Sequence, residues 1–364
     1  MLKVLYDHQT FSLQKYGGIS RYFANVHHAI QQQIGIEASI SLLYSNNYYI
    51  KDIPNFMNKS LGKFLLSDPD KCYKWNKRYS RRIIGNNDFD IFHPTYYHPY
   101  FLKKLKKPFV ITVHDMIHEK YPEYFTSEDP SSYYKRQCIE KASHIIAISE
   151  STKNDIQQYL NIPEEKISVI HHGYQPIASY EKNDLFDLPE QYLLYVGDRR
   201  AYKNFYGFIR ALVPLLKNDP ILKIICAGGG SFQLAEIEFL SALGLSNQVV
   251  QKSVSDYQLA MLYKNAIAFV YPSFYEGFGL PILEAFGQNC PIIASNNSCF
   301  KEIAGDACQY FNPNDPSDIL KSVEAVKSSF LLRSNLVSKG NNQLLTFGMD
   351  KCVNKTIELY KNLV

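Results

Sequence analysis

Short apolar runs alternate with amphipathic helical stretches along this chain in two successive blocks, and that alternation restricts the fold more than any other feature of the sequence. The first block opens with Lys3-Val4-Leu5-Tyr6-Asp7, an apolar run of strand length. A glycine-started helix is expected over 17–33, where Ile19, Tyr22, Phe23, Val26 and Ile30 share one face. Strands are expected near 37–43, at Asp90–His93 and at 108–113, with a loop-rich region at 45–70. A helix over 131–142, a strand at His144–Ile148, a helix capped by Ser149 and a strand at Ile167–Ile170 complete the block. Residues 174–190, with Pro176, Pro189 and several charges, read as a linker. The alternation then restarts with strand 192–196, helix 204–217, strand 222–227, helices 231–243 and 256–264, strand 267–271, helix 280–288 and strand 291–294. Strands interleaved with helices in this way predict the α/β class, as two doubly wound domains facing one another. Ligands of such sheets sit at the carboxyl ends of the strands, so the cleft between the halves is the expected site.

The second block contains the stretch richest in chemistry, Pro272-Ser273-Phe274-Tyr275-Glu276-Gly277-Phe278-Gly279-Leu280-Pro281-Ile282-Leu283-Glu284-Ala285. Apolar Ile267–Tyr271 precedes it, and Leu280, Leu283, Glu284 and Gly287 follow at helical spacing, so the order is strand, glycine loop, helix. Gly277 and Gly279 let backbone approach a ligand closely. The helix start, with Pro281 in its first turn, presents N–H groups and partial positive charge to an anion. Glu276 and Glu284 can accept hydrogen bonds from sugar hydroxyls. Either glutamate alone reads as an ordinary residue of a strand-to-helix turn; the pair bracketing Gly-Phe-Gly-Leu-Pro does not.

Glu-Gly-Phe-Gly-Leu-Pro-x-x-Glu resembles the paired-glutamate signature of the retaining GT-B glycosyltransferases of family 4, which move a sugar from a nucleotide diphosphate donor to an acceptor hydroxyl. The resemblance implies that Glu276 reaches the donor sugar and Glu284 holds the ribose, with the amides of Gly277, Phe278, Gly279 and Leu280 near sugar and phosphate. It also implies GT-B architecture, with an acceptor-binding domain over 1–175, a donor-binding domain over 176–345 and a returning helix within 346–364. Met349–Leu363 matches that helix.

Val196-Gly197-Asp198-Arg199-Arg200-Ala201-Tyr202-Lys203-Asn204 follows the first strand of the second block and places cations near a helix start. By resemblance Lys203 holds the diphosphate, where positive charge stabilises the leaving group. Many relatives carry an arginine directly after the glycine, where this chain has Asp198; Arg199 is the expected substitute and Arg200 its rival. Gly17 and Gly18 match the family's N-terminal glycine loop near the donor phosphates or the acceptor. His114, ending the run Val110-Ile111-Thr112-Val113, matches a histidine beside the donor sugar, with Asp115 as its neighbour. Gly229, in Ala227-Gly228-Gly229-Gly230-Ser231, and Val254, before a helix capped by Ser255, are expected near the nucleotide without identifying its base. Asp88-Phe89-Asp90 looks like a metal-binding Asp-x-Asp but leads into a first-block strand, so it reads as a loop and no metal or other cofactor is expected. Cations of the chain would do that work.

Of the 364 residues, 46% are hydrophobic and 20% charged, which describes a globular chain with ample core. A net charge of +4 is too mild to argue for nucleic acid. Seven scattered cysteines without a Cys-x-x-Cys read as a reducing compartment and no zinc site. No apolar run approaches the ~20 residues of a membrane span, so a cytosolic location is expected. Two basic clusters, one of Lys71, Lys74, Lys77, Arg78, Arg81 and Arg82 among aromatics and one of Lys103, Lys104, Lys106 and Lys107, suit either anionic lipid headgroups or plain solvation. Peripheral attachment to a membrane therefore stays open. The form Tyr-Val-Gly-x-Arg-x-x-Tyr-Lys-Asn resembles bacterial mannosyl- and deoxyhexosyltransferases of surface polysaccharides, including O-antigen. It implies GDP-mannose or a GDP-deoxyhexose as donor and a glycan or lipid-linked acceptor, with a UDP-hexose as the alternative. Three other readings stand beside it: a sugar-nucleotide epimerase, a nicotinamide dehydrogenase lacking the expected Gly-x-Gly-x-x-Gly, and a non-catalytic lipid-surface protein.

Overall fold

A computed structural model describes residues 1–53, 57, 59–176 and 187–364. It divides into two compact units, one of Met1–Gly173 with Met349–Val364 and one of Tyr174–Gly348. Residues 177–186 of the stretch read as a linker lie outside the described residues.

The first unit runs β1 (Leu2–Tyr6), α1 (Gln9–Leu13), α2 (Gly18–Gln31), β2 (Ile36–Ile40), α3 (Lys59–Leu65), α4 (Pro69–Asn86), β3 (Ile91–His93), β4 (Val110–Val113), α5 (Ile117–Lys120), α6 (Ser131–Lys141), β5 (His144–Ala147), α7 (Glu150–Tyr159) and β6 (Ile167–Val169). Its strands are parallel, in the orders β2-β1-β3 and β4-β5-β6. The Phe92–Phe109 bridge and the bond from the Phe92 amide to the Pro108 carbonyl join the two sets. Alternate residues of β1 face opposite ways, as a strand's period of two requires. Val4 and Tyr6 pack with Phe23, Val26 and Ile30 of α2, whereas Leu5 packs with Phe92, Ile111 and Ile139. Both faces of the sheet are therefore covered, which is why its strands read as unbroken apolar runs.

The second unit runs β7 (Tyr192–Val196), α8 (Phe205–Asn218), β8 (Lys223–Ala227), α9 (Leu234–Ala242), β9 (Val249–Lys252), α10 (Asp256–Asn265), β10 (Ala268–Tyr271), α11 (Leu280–Gly287), β11 (Ile292–Ser295), α12 (Ser298–Ala304), β12 (Gln309–Phe311), α13 (Pro316–Ser328) and α14 (Phe330–Leu344). Its sheet is parallel, ordered β12-β11-β10-β7-β8-β9. This is the doubly wound order of dinucleotide-binding folds, and it reverses between β7 and β10. Ser255 caps α10 in a reciprocal capping box with Gln258, as Ser149 caps α7 through the Thr152 amide.

The last helix, α15 (Met349–Lys361), belongs to the first unit. Its Val353, Ile357 and Tyr360 join the core of β1 and α2. The Tyr360 hydroxyl lies 3.0 Å from that of Tyr6 and 2.6 Å from His93 Nδ1, so three fully buried polar groups satisfy one another. Among the described residues no helix is long and apolar enough to cross a membrane. All seven cysteines are free and buried, and burial pushes the thiols of Cys226 and Cys290 up to about 12. They serve as small apolar residues.

Candidate active site

Where the strand order of the second unit reverses, the loops after β7 and β10 leave neighbouring strands together. The Phe274 amide donates to the Tyr202 carbonyl at 2.8 Å and fixes the two loops to one another. The Lys203 ammonium then donates to Glu276 at 2.6 Å, with both side chains about one-seventh exposed. Lys203 Nζ also lies 5.3 Å from the Tyr202 ring centre and 5.7 Å from that of Tyr271. Burial first, and the Glu276 carboxylate beside it second, raise the Tyr271 phenol well above its ordinary range, so it remains protonated. A cation, a carboxylate and a phenol thus meet at the carboxyl edge of the sheet, at a switch point where folds of this kind bind ligands.

The backbone between Glu276 and α11 is shaped for close approach. Gly277, Phe278 and Gly279 are buried. Gly279 stands just before α11 at φ 103°, and a Cβ there would meet Ile282 and Phe300 at 3.2 Å. Leu280 opens the helix and Pro281 sits in its first turn. Glu284 lies on α11, nearly buried, and accepts from the Tyr263 hydroxyl at 3.1 Å. The two glutamates therefore occupy different settings, one against a lysine and one anchored by a buried tyrosine of α10.

Arg199, named from the sequence for the diphosphate, is engaged within the protein itself. Its guanidinium donates to both carboxylate oxygens of Glu236 at 2.7 and 3.2 Å, and its side chain is 3% exposed. The same group donates to the carbonyls of Gly228, Gly230 and Ser231 at 3.1–3.2 Å. Gly228, Gly229 and Gly230 all take positive φ (85°, 67° and 72°), which turns those carbonyls inward around the arginine. Glu236 in turn accepts from the Gln233 amide and so helps start α9. Arg199 thus holds the glycine turn after β8, while Arg200 is exposed beside Asp198 at 3.1 Å. Val254 follows β9, so the loops carrying Gly229, Lys203, Val254 and Glu276 all leave the carboxyl edge of one sheet. Sequence reasoning did not single out Glu236, Tyr263 or Tyr271. Glu236 carried a signal, since an acid three residues after a helix cap is a capping-box pattern.

In the first unit, Gly17 precedes α2 and Gly18 begins it. The Gly17 backbone is extended, and a Cβ there would fall 2.4 Å from Oε1 of Gln14, a flexible side chain that would have to swing aside. That side chain accepts from the Ser20 amide. His114 follows β4 and is 93% buried, with its ring stacked on His172 at 5.7 Å and edge-on to Tyr22 at 5.8 Å. Burial lowers it to about 4, so it is neutral at physiological pH, and its buried Nε2 has no hydrogen-bond partner among the described residues. For Asp115 burial acts to raise the carboxyl, but the Lys135 ammonium 3.6 Å away prevails and its pKa is lowered. Asp88 pairs with the Lys3 ammonium at 2.7 Å and Asp90 accepts from the Lys3 amide. Both acids fasten the start of β1.

Residues 16–176 match the family described as Glycosyltransferase Family 4, and residues 177–343 match Glycosyl transferases group 1. The O-antigen chain mannosyltransferase RfbU of Salmonella typhimurium is 28% identical over 66% of this chain and 65% of that protein, just under two thirds of its length. The O-antigen chain mannosyltransferase B of Escherichia coli is 28% identical over 88% of this chain and 90% of that protein. Among solved structures, Anabaena HepE in complex with UDP and glucose superposes with a TM-score of 0.74 at 15% identity, covering all of both chains. WaaG, a glycosyltransferase involved in lipopolysaccharide biosynthesis, gives 0.72 at 13% identity over 99% of both. Two family matches that abut at residue 176, together with a doubly wound sheet whose switch point carries the lysine and glutamate, place this chain among the GT-B glycosyltransferases of the family 4 type.

Proposed function

We propose that the chain transfers a mannosyl or deoxyhexosyl group from a GDP-linked donor to a glycan or lipid-linked acceptor, with retention at the anomeric carbon, in the synthesis of a surface polysaccharide such as O-antigen. The observation that carries this reading is the Lys203–Glu276 pair at the switch point of the second unit. A donor diphosphate competes for the ammonium with two charged phosphates against one carboxylate. Once Lys203 turns to the phosphates, Glu276 is released to accept from the sugar hydroxyls. Glu284, held by Tyr263, receives the ribose. The mannosyl part of the proposal rests on the relatives named O-antigen mannosyltransferases.

As the bond from the anomeric carbon to the phosphate oxygen breaks, charge grows on the departing diphosphate and Lys203 stabilises it. The acceptor oxygen attacks from the same face, and its proton passes to the departing phosphate oxygen. Glu276 and Glu284 bind; they are not the acid and nucleophile of a glycosidase. Neutral His114 has the chemistry to hydrogen-bond a sugar hydroxyl through Nε2. Because Lys203 supplies the positive charge, the reaction proceeds without added divalent metal and persists in EDTA. Thermal stabilisation by a panel of GDP- and UDP-sugars tests the donor, and the product's anomeric configuration by NMR tests retention. A response to UDP compounds alone would establish the second reading, a UDP-hexose donor, which the likeness to a UDP-bound structure favours.

A further inference from the structure

Helix α6 of the first unit buries a lysine, with the Lys135 side chain only 1% exposed. Its ammonium donates to the Asp115 carbonyl at 3.0 Å and to Glu119 on α5 at 2.8 Å, and lies 3.6 Å from the Asp115 carboxylate. It also lies 5.5 Å from the ring centre of Tyr97, in the loop after β3. Tyr97 is tied to the same surroundings. Its carbonyl accepts from the Cys138 thiol of α6 at 3.1 Å, and its hydroxyl accepts from the His114 amide at 2.9 Å. The Asp115 carboxylate accepts from the Ile117 amide at 3.1 Å and so fixes the start of α5. One buried cation therefore joins α6 to α5 and to the loops after β3 and β4. His114 is held from both sides, through its own amide by Tyr97 and through the next residue by Lys135.

We infer that Lys135 is a positioning residue for sugar transfer, which sets the His114 ring for its hydrogen bond to a sugar hydroxyl. The inference rests on the sugar contact proposed above for His114. Taking an ammonium out of water is costly, and apolar side chains of similar volume often serve a core as well or better. Stability alone is therefore a weak reason for a lysine in this place. What an apolar side chain cannot do is grip a strand end, whereas the ammonium's directed donors hold the main-chain carbonyl next to His114. Among the described residues no hydrogen bond orients the His114 ring at Nε2. Its aim depends on packing against Tyr22, Phe23 and His172 and on where the backbone places it. A misplacement of the order of 1 Å is enough to lose an oriented contact.

Calorimetric titration of the full chain with GDP and GDP-mannose, and with UDP and UDP-glucose, tests this. The dissociation constant of the nucleotide divided by that of its sugar nucleotide isolates the grip on the sugar. His114→Ala is expected to lower that ratio by about fivefold and to leave the affinity for bare nucleotide unchanged. Lys135→Met is expected to act in the same way, and the two changes together to cost no more than His114→Ala alone, as for residues that act through one contact. Tyr97→Phe, which takes only the oxygen from the His114 amide, should lower the ratio as well. Should Lys135→Met not fold because Glu119 is left unpaired, Lys135→Met combined with Glu119→Gln removes cation and buried acid together and is read in its place. An unchanged ratio in the Lys135 variant, or losses that add, would overturn the inference and leave the sugar contact of His114 standing. So would a loss shared equally by nucleotide and sugar nucleotide, the mark of general damage. A His114→Ala protein with the wild-type ratio, or a wild-type chain that binds no sugar nucleotide better than its nucleotide, would remove the contact itself and the inference with it.

Discussion

Lys203 and Arg199 are four residues apart, and the sequence suggested one task for both, yet the fold separates their chemistry. Lys203 meets a carboxylate whose side chain is still in touch with solvent, whereas Arg199 is enclosed with Glu236 and the glycine turn. Lys203→Ala is accordingly expected to lower kcat by about 10²–10³-fold while the urea midpoint hardly moves. Arg199→Ala leaves the Glu236 carboxylate and several carbonyls without their donor. It is expected to destabilise the second unit by about 3–5 kcal/mol in urea denaturation. An Arg199→Ala enzyme of full stability and lost turnover would instead place this arginine on the substrate. The positions of Glu276, Glu284 and Lys203 at the ends of neighbouring strands were legible, because each sits in an unbroken strand–loop–helix pattern; their roles belong to the proposal. The fate of Arg199 was not, because its partner Glu236 lies 37 residues away and only the parallel pairing of β7 with β8 brings their loops together.

The turn after β8 shows the same division at the scale of an element. A strand ending in three glycines announces a tight turn, but not that all three take positive φ around a buried guanidinium. Two neighbouring substitutions separate those properties. At Gly230 a Cβ meets open space, so Gly230→Ala carries only the strain of a left-handed backbone, about 1–2 kcal/mol. At Gly229 the Cβ would also meet Arg199 Nη1 and the Gly197 carbonyl, both at 2.8 Å. Gly229→Ala should therefore lower the thermal midpoint further than Gly230→Ala and weaken donor affinity with it; equal shifts would show that the clamp does not matter. Elsewhere, buried strands such as β4, β5 and β10 were readable as apolar runs. Strand β9 was not, since Gln251 and Lys252 break its pattern at the sheet edge, nor was β12, only three residues long. The basic segment at 71–82 was seen as charge before it was seen as α4, because its buried face is built from Asn76 and Ser80 rather than aliphatic residues. Those two side chains hold the loop after β2 by bonds to Leu43, Tyr44 and Ser41, a purpose that periodicity cannot express.

Across the whole molecule, histidine is distributed unevenly: all ten lie between residues 8 and 172, inside the first unit, and the second unit has none. Burial lowers His8 and His93 to about 3 and His27 and His114 to about 4, against an ordinary value of 6.5. Between those limits the unfolded chain binds protons that the fold refuses, so stability falls as pH falls. The contribution is complete above pH 6.5 and lost as the pH drops through the folded values. At pH 5 each of these four groups removes about 2 kcal/mol, together comparable with the whole stability of a typical domain. Asp7 opposes them, because burial raises its carboxyl and acid relieves that penalty, but it is one group against four. The first unit should therefore open in mild acid before the second. Hydrogen exchange followed by mass spectrometry, corrected for the intrinsic pH dependence, would show protection in β1, β4 and α15 falling between pH 6 and 4.5 while β7, β8 and β10 stay protected. Trp75 emission should change over the same interval. Loss of protection in both units at one pH would mean that the histidines do not govern acid stability, whereas recovery at pH 5 in a His27→Gln variant would trace the effect to these side chains.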